Sequence, residues 1–225
     1  MNDLHVRTIR AGVRGIIVFG ALVFLPAWTL DYWQGWAFLL TFTAASAALT
    51  VYMALYDPEL LERRLRAGPT AEKQTSQKII MLFAMLGFVS LLILSVFDHR
   101  FGWSSVPAPV SLLGDALIAL AFLAIFFVVR ENSYAASTIQ IAEGQKVIST
   151  GPYAVVRHPM YAGALLLMIG MPLALGSWWG LLGAFLFVPV LIWRLLDEEK
   201  FLTQNLPGYL EYKAKVGWRL IPGLF

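Results

Sequence analysis

The sequence contains no cysteine, which excludes disulfides, thiolate-held metals, iron–sulfur clusters and a cysteine nucleophile. Charge is scarce too: 14% of the residues are Asp, Glu, Lys or Arg, against about 25% in a soluble domain. Histidine occurs three times, at His5, His99 and His158, with no helical pairing that would hold a metal. His5 and His99 are expected to be solvated. The glycine patterns of dinucleotide and phosphate loops are missing, as is the GxSxG elbow of serine hydrolases. No repeat or low-complexity stretch occurs. The first apolar run lacks a small-residue cleavage site and is expected to stay in the membrane.

What is present is apolar: 59% of the 225 residues are hydrophobic, the composition of a membrane protein with the length of one domain. Apolar runs cover residues 16–30, 36–56, 79–97 and 110–129, most approaching the roughly 20 residues that cross a bilayer. The first contains Pro26, so its helix is expected to start near Ala11 and to kink. A fifth run, residues 160–193, is too long for one span and is interrupted by "GSWWG" at 176–180. It reads as two helices in a tight hairpin, with Trp178 and Trp179 at the membrane interface. The expected fold is an all-α integral membrane protein: four transmembrane helices in residues 1–130, then a catalytic region, residues 131–225, built on the hairpin.

The basic residues set an orientation. Every Lys and Arg except Arg100 falls on one side if the N-terminus is cytoplasmic, the asymmetry of an inner-membrane multi-pass protein. The net charge of +3 then reflects topology, and nucleic acid need not be invoked. Asp115 is the one acidic residue inside a run.

Two stretches carry chemistry. In "STGPYAVVRHPMYAG" (149–163), Pro159 suits the first turn of a helix, whose free N–H groups could receive an anion such as a carboxylate. Tyr161 stands one helical turn after His158 and shares its face, with Tyr153 near by. Gly144 and Gly151 allow a ligand close to the backbone. Arg157 is either a basic membrane flank or part of this pocket. In "WRLLDEEKFL" (193–202), Arg194 and Glu198 share a helical face at i and i+4, as a simple ion pair or as functional groups; a guanidinium at the end of a membrane helix is expensive. The hairpin brings both stretches to one end.

These stretches, followed by "GYLEYKAKVGWRLIPGLF", resemble the isoprenylcysteine carboxyl methyltransferase family of integral membrane methyltransferases over roughly the last hundred residues. The resemblance implies a cytoplasm-facing pocket for S-adenosyl-L-methionine, with a lipophilic acceptor, prenylcysteine-like, entering from the bilayer. Gln145, Lys146, Val147 and Ile148 match the strand-like stretch that lines the cofactor. Tyr153, His158, Pro159, Met160 and Tyr161 match the motif that contacts it, and Glu198 matches the acidic contact. Arg194 matches the residue associated with the acceptor carboxylate, so Arg194 and Glu198 are the expected catalytic residues. A family glutamine falls near Gln140. "LPGY" departs from the family's usual Phe-Gly spacing, which blurs the match over residues 199–209.

The chemistry agrees with this reading. Methyl transfer from a sulfonium is an in-line displacement governed by positioning, and the sulfonium is at ease near tyrosine faces and a carboxylate. A carboxylate acceptor needs no base and would be gripped by Arg194. Rival readings are an NADPH-dependent sterol-type reductase, suggested by the shared "HPxY" element, a phospholipid N-methyltransferase, and a non-catalytic membrane protein.

Overall fold

The computed structural model describes residues 3–225. Among the described residues eight α-helices follow one another: α1 (Asp3–Ala27), α2 (Trp33–Tyr56), α3 (Pro58–Leu65), α4 (Thr75–Phe101), α5 (Ala108–Glu131), α6 (Pro159–Ala174), α7 (Trp179–Asn205) and α8 (Tyr209–Lys215). Short 3-10 turns lie at Pro69–Ala71 and Gly151–Ala154. Helices α1, α2, α4, α5 and α7 are each long and apolar enough to cross a membrane. The 16-residue α6 rises about 24 Å and pairs with α7. The chain is an all-α, multi-pass membrane protein.

The start of the first helix differs from the sequence expectation. Helix α1 begins at Asp3 rather than near Ala11, because its polar first turns, carrying Arg7 and Arg10, are helical although they are not apolar. Pro26 lies in its last turn, one residue before the helix stops. There Trp28 takes a left-handed φ of 60°, uncommon for a bulky residue. Arg100 supports the stop by donating to the Pro26 carbonyl at 3.2 Å and stacking over the Trp28 ring at 4.8 Å.

Helix α6 is set by backbone contact. A Cβ on Gly114 of α5 would lie 2.2 Å from the Ala174 nitrogen, and one on Gly163 would lie 2.9 Å from Ile125. Only glycine lets the two backbones approach so closely. Around this seam Phe38, Leu92, Ile118, Met171 and Leu175 form the main core. The 176–180 turn is held by the buried Asp98 of α4, which accepts from Ser177 Oγ at 2.6 Å and from Ser104 N at 2.7 Å. Trp178 and Trp179 are exposed beside it. Tyr32 donates to the Leu175 carbonyl at 2.6 Å. His99 is not simply solvated: its ring stacks on Tyr32 at 3.7 Å. His5 is exposed. With its turn pinned, the hairpin's opposite end brings the start of α6 against the C-terminal half of α7.

Candidate active site

Helix α7 does not end at Trp193 but runs on to Asn205, so "RLLDEEKFL" continues a membrane helix as a rigid rod. Neighbouring residues on a helix point about 100° apart, and Glu198 and Glu199 serve different sites for that reason. Glu198 accepts from the Tyr161 hydroxyl at 2.5 Å. Glu199, 3% exposed, accepts from Arg157 Nε at 2.7 Å and Arg219 Nε at 3.0 Å, with His158 Nε2 at 3.2 Å. Arg157 is itself 7% exposed and also donates to the carbonyls of Val216 and Gly217. Its reading as a membrane flank is therefore overturned: it clamps the C-terminal segment to the start of α6. The Trp218 and Arg219 carbonyls complete that clamp by accepting from the N–H groups of Arg157 and His158, both at 2.9 Å.

Arg194 does not pair with Glu198. Its guanidinium donates to Glu72 at 2.7 Å, to Gln77 at 2.7 Å and to the Ser137 carbonyl at 3.1 Å. A buried cation needs a desolvated partner, and Glu72, 3% exposed, meets that need where a carboxylate already turned towards Tyr161 does not. Glu72 in turn accepts from Ile139 N at 3.1 Å. Arg63 and Arg64 of α3 donate to the carbonyls of Ser133 and Ala135, both at 2.8 Å. The linker between α5 and α6 is thus held in place by residues from the first half of the chain.

That linker has no strand among the described residues; Gln145, Lys146, Val147 and Ile148 lie in irregular backbone. Gly144, with φ of 70°, makes a turn in which Gln145 Oε1 accepts from Ala142 N at 2.9 Å. Gly151, with φ of 54°, would place a Cβ 2.9 Å from Glu131. Both glycines serve the linker's own turns and neighbours. At the start of α6 the Tyr161 and Ala162 N–H groups bond back to the His158 carbonyl at 3.1 and 3.2 Å, so the expected row of free donors is largely spent.

All of these pieces surround one cavity of about 320 Å³, within the range of small-molecule sites. Its walls include Gln145, Lys146, Val147 and Ile148 from the linker, then Tyr153 and His158, and Pro159, Met160 and Tyr161 from α6. Arg194 and Glu198 from α7 complete the expected set, and Gln140 joins them. Arg64, Asn132, Tyr134, Tyr209 and Tyr212 also line the cavity, with Glu72, Gln77 and Glu199 behind it, and none of these is a site residue expected from the sequence. "LPGYLEY" carried a signal for the two tyrosines; nothing local marked the α3 residues.

The cavity contains groups that want a ligand. The Tyr209 hydroxyl is buried without a partner, and burial raises its pKa, as it does that of Tyr212. Burial pushes the Tyr153 hydroxyl up to about 12, helped by the Glu198 carboxylate and opposed by the Asn132 amide and the Arg64 guanidinium. Asn132 Nδ2 donates to that hydroxyl at 2.8 Å, and Tyr212 fixes the Tyr153 carbonyl at 2.8 Å. Among the described residues no group of three or more His, Asp or Glu side chains could hold a metal ion.

Residues 110–207 match the family model described as phospholipid methyltransferase. No curated protein matches the chain. The matched region runs from the start of α5 to just past α7. It takes in the linker, Tyr153, the His158–Tyr161 helix start, Arg194 and Glu198, and leaves out Arg64, Glu72, Tyr209 and Tyr212. Over the elements that build most of the cavity, the chain is similar to a family of membrane methyltransferases, and that similarity supports a membrane methyltransferase.

Proposed function

We propose that the protein is an S-adenosylmethionine-dependent methyltransferase acting on a membrane-borne acceptor, with its N-terminus and cavity facing the cytoplasm. The observation that carries this reading is the single cavity joining the His158–Tyr161 helix start to the polar face of α7, at one end of an apolar bundle. The side of the membrane follows from the Lys and Arg asymmetry.

The residues present fit the cofactor. The cavity holds an anion, Glu198, with no cation within 4 Å among the described residues. It also holds the partnerless Tyr209 hydroxyl and several tyrosines. When bound, S-adenosylmethionine supplies a methyl on a sulfonium, which passes in line to the acceptor while the electrons of its bond to sulfur stay on sulfur. Glu198 and the faces of Tyr153 and Tyr161 make the cavity favourable to a cation. Tyr161, held by Glu198 at 2.5 Å, and His158, held by Glu199 at 3.2 Å, are preorganised walls, which is what an in-line displacement asks of an enzyme. Arg194 and Glu72 fix the linker that forms the opposite wall.

Two acceptor classes divide on Arg194. An isoprenylcysteine-like carboxylate, suggested by the motif resemblance, depends on a guanidinium free to grip it. Here Glu72 already neutralises that charge. This pairing, together with the phospholipid methyltransferase match, favours a phospholipid amine. A neutral amine attacks the methyl, and the methylammonium product then releases its proton to water. Labelled-methyl transfer by the purified protein in liposomes decides between them. Label in phosphatidylethanolamine supports the amine, label in a prenylcysteine analogue supports the carboxylate, and label in neither overturns the methyltransferase.

A further inference from the structure

Three arginines line the cavity, Arg157 and Arg194 buried and Arg64 partly exposed, and they are not equivalent. Arg157 pairs with Glu199 at 2.7 Å and Arg194 with Glu72 at 2.7 Å. Arg64 lines the same cavity with no carboxylate within 4 Å among the described residues. Its side-chain bond is to a neutral acceptor, the Ala135 carbonyl, at 2.8 Å. A guanidinium stays charged in a protein, and drawing one out of water without a counter-charge is unfavourable. Burial accordingly lowers the pKa of Arg64, with the Tyr153 phenol the one opposing influence. Lys146 also lines the cavity but is exposed. Glu198 is the converse case, an anion whose partner is the neutral Tyr161 hydroxyl. Tyr153 feels both charges, Glu198 and Arg64, so the two face a common space. Apart from the exposed Lys146, the cavity thus presents one guanidinium and one carboxylate with no ion-pair contact within 4 Å among the described residues, an arrangement complementary to a zwitterion.

We propose that Arg64 is the anion subsite of this cavity and receives the α-carboxylate of the cofactor's amino-acid moiety, while Glu198 takes its ammonium. The assignment rests on the methyltransferase reading above and adds a binding residue from α3, outside the region that resembles known methyltransferases. It also gives α3 a reason to sit where it does: Arg63 and Arg64 hold the linker carbonyls, and Arg64 keeps enough of its fork free to bind.

The test is a thermodynamic cycle measured by isothermal titration of the detergent-purified protein. S-adenosylmethionine is compared with decarboxylated S-adenosylmethionine, which lacks only the carboxylate. The Arg64→Gln variant should bind S-adenosylmethionine roughly ten- to hundredfold more weakly, the worth of a charge-assisted pair. It should bind the decarboxylated ligand within about threefold of the wild type, since the coupled partner is already gone. Arg64→Lys, which keeps the charge, should recover most of the loss. If Arg64→Gln weakens both ligands equally, Arg64 only shapes the linker and the subsite is overturned; unchanged binding of S-adenosylmethionine overturns it equally. A wild-type protein that binds neither ligand ends the methyltransferase reading, and this assignment falls with it.

Discussion

Glu198 and Glu199 are adjacent in sequence and chemically identical, and their substitution should give opposite phenotypes. Glu199 is buried at 3% exposure and is the one carboxylate for Arg157, His158 and Arg219. Glu199→Gln leaves the buried Arg157 guanidinium uncompensated. Breaking a buried pair in this way costs about 3–5 kcal/mol. For a chain of this length each kcal/mol moves Tm by about 2–4 °C, so a loss of roughly 6–20 °C is expected. The C-terminal segment held by Arg157 and Arg219 should loosen first. Glu198→Gln removes one charge whose partner is the neutral Tyr161 hydroxyl, and an amide oxygen still accepts that bond; Tm should move by less than about 3 °C. Binding should respond the other way, with Glu198→Gln losing S-adenosylmethionine affinity at nearly wild-type stability. Differential scanning fluorimetry in detergent, followed by titration calorimetry on the folded variants, reads both. A Glu198→Gln protein as unstable as Glu199→Gln would refute the division of labour between the two carboxylates.

Three further outcomes are expected. Glu72→Gln strands Arg194 and frees the linker at Ile139, so it should lower Tm by an amount comparable to Glu199→Gln and also weaken cofactor binding; normal binding would show that the linker does not depend on that pair. Gly114→Leu forces α5 and α6 apart where a Cβ already meets the Ala174 nitrogen at 2.2 Å, and should cost at least about 1–3 kcal/mol in thermal unfolding; an unchanged Tm would contradict the close backbone seam. Burial holds the Tyr153 hydroxyl up to about 12 against an ordinary value of 10.0. The folded state therefore keeps that proton longer than the unfolded chain does, so its contribution is full below about pH 10 and is lost as pH rises to about 12. Tyr153→Phe should flatten the fall in Tm over that window, and an identical alkaline profile would count against a buried Tyr153.

The sequence made the bundle legible because apolar runs and the 176–180 break are local signals. It also made the meeting of "RHPMY" with "RLLDEE" legible, since a tight hairpin leaves its open ends adjacent. The partners within that meeting were not legible. Arg194 and Glu198 lie at helix-pair spacing, yet burial sends Arg194 to Glu72 in a polar loop 122 residues away, a choice that spacing cannot encode. Arg157 had the same sequence appearance as a membrane flank and as a clamp; only the return of the C-terminal segment separates the two. Helix α1 extends to Asp3 through arginine-bearing turns that hydropathy does not register. Arg64 sits in a short amphipathic helix with ordinary surface composition, and its role arises from the linker folding over it.

The cavity shared by α6, α7 and the linker is proposed to bind S-adenosylmethionine. Isothermal titration of the purified wild-type protein tests it directly, with NADPH as the competing ligand. Saturable one-site binding of S-adenosylmethionine, lost or strongly weakened in His158→Ala and Glu198→Gln, is expected, with no binding of NADPH. Binding of NADPH alone, or binding of S-adenosylmethionine indifferent to both substitutions, would contradict it.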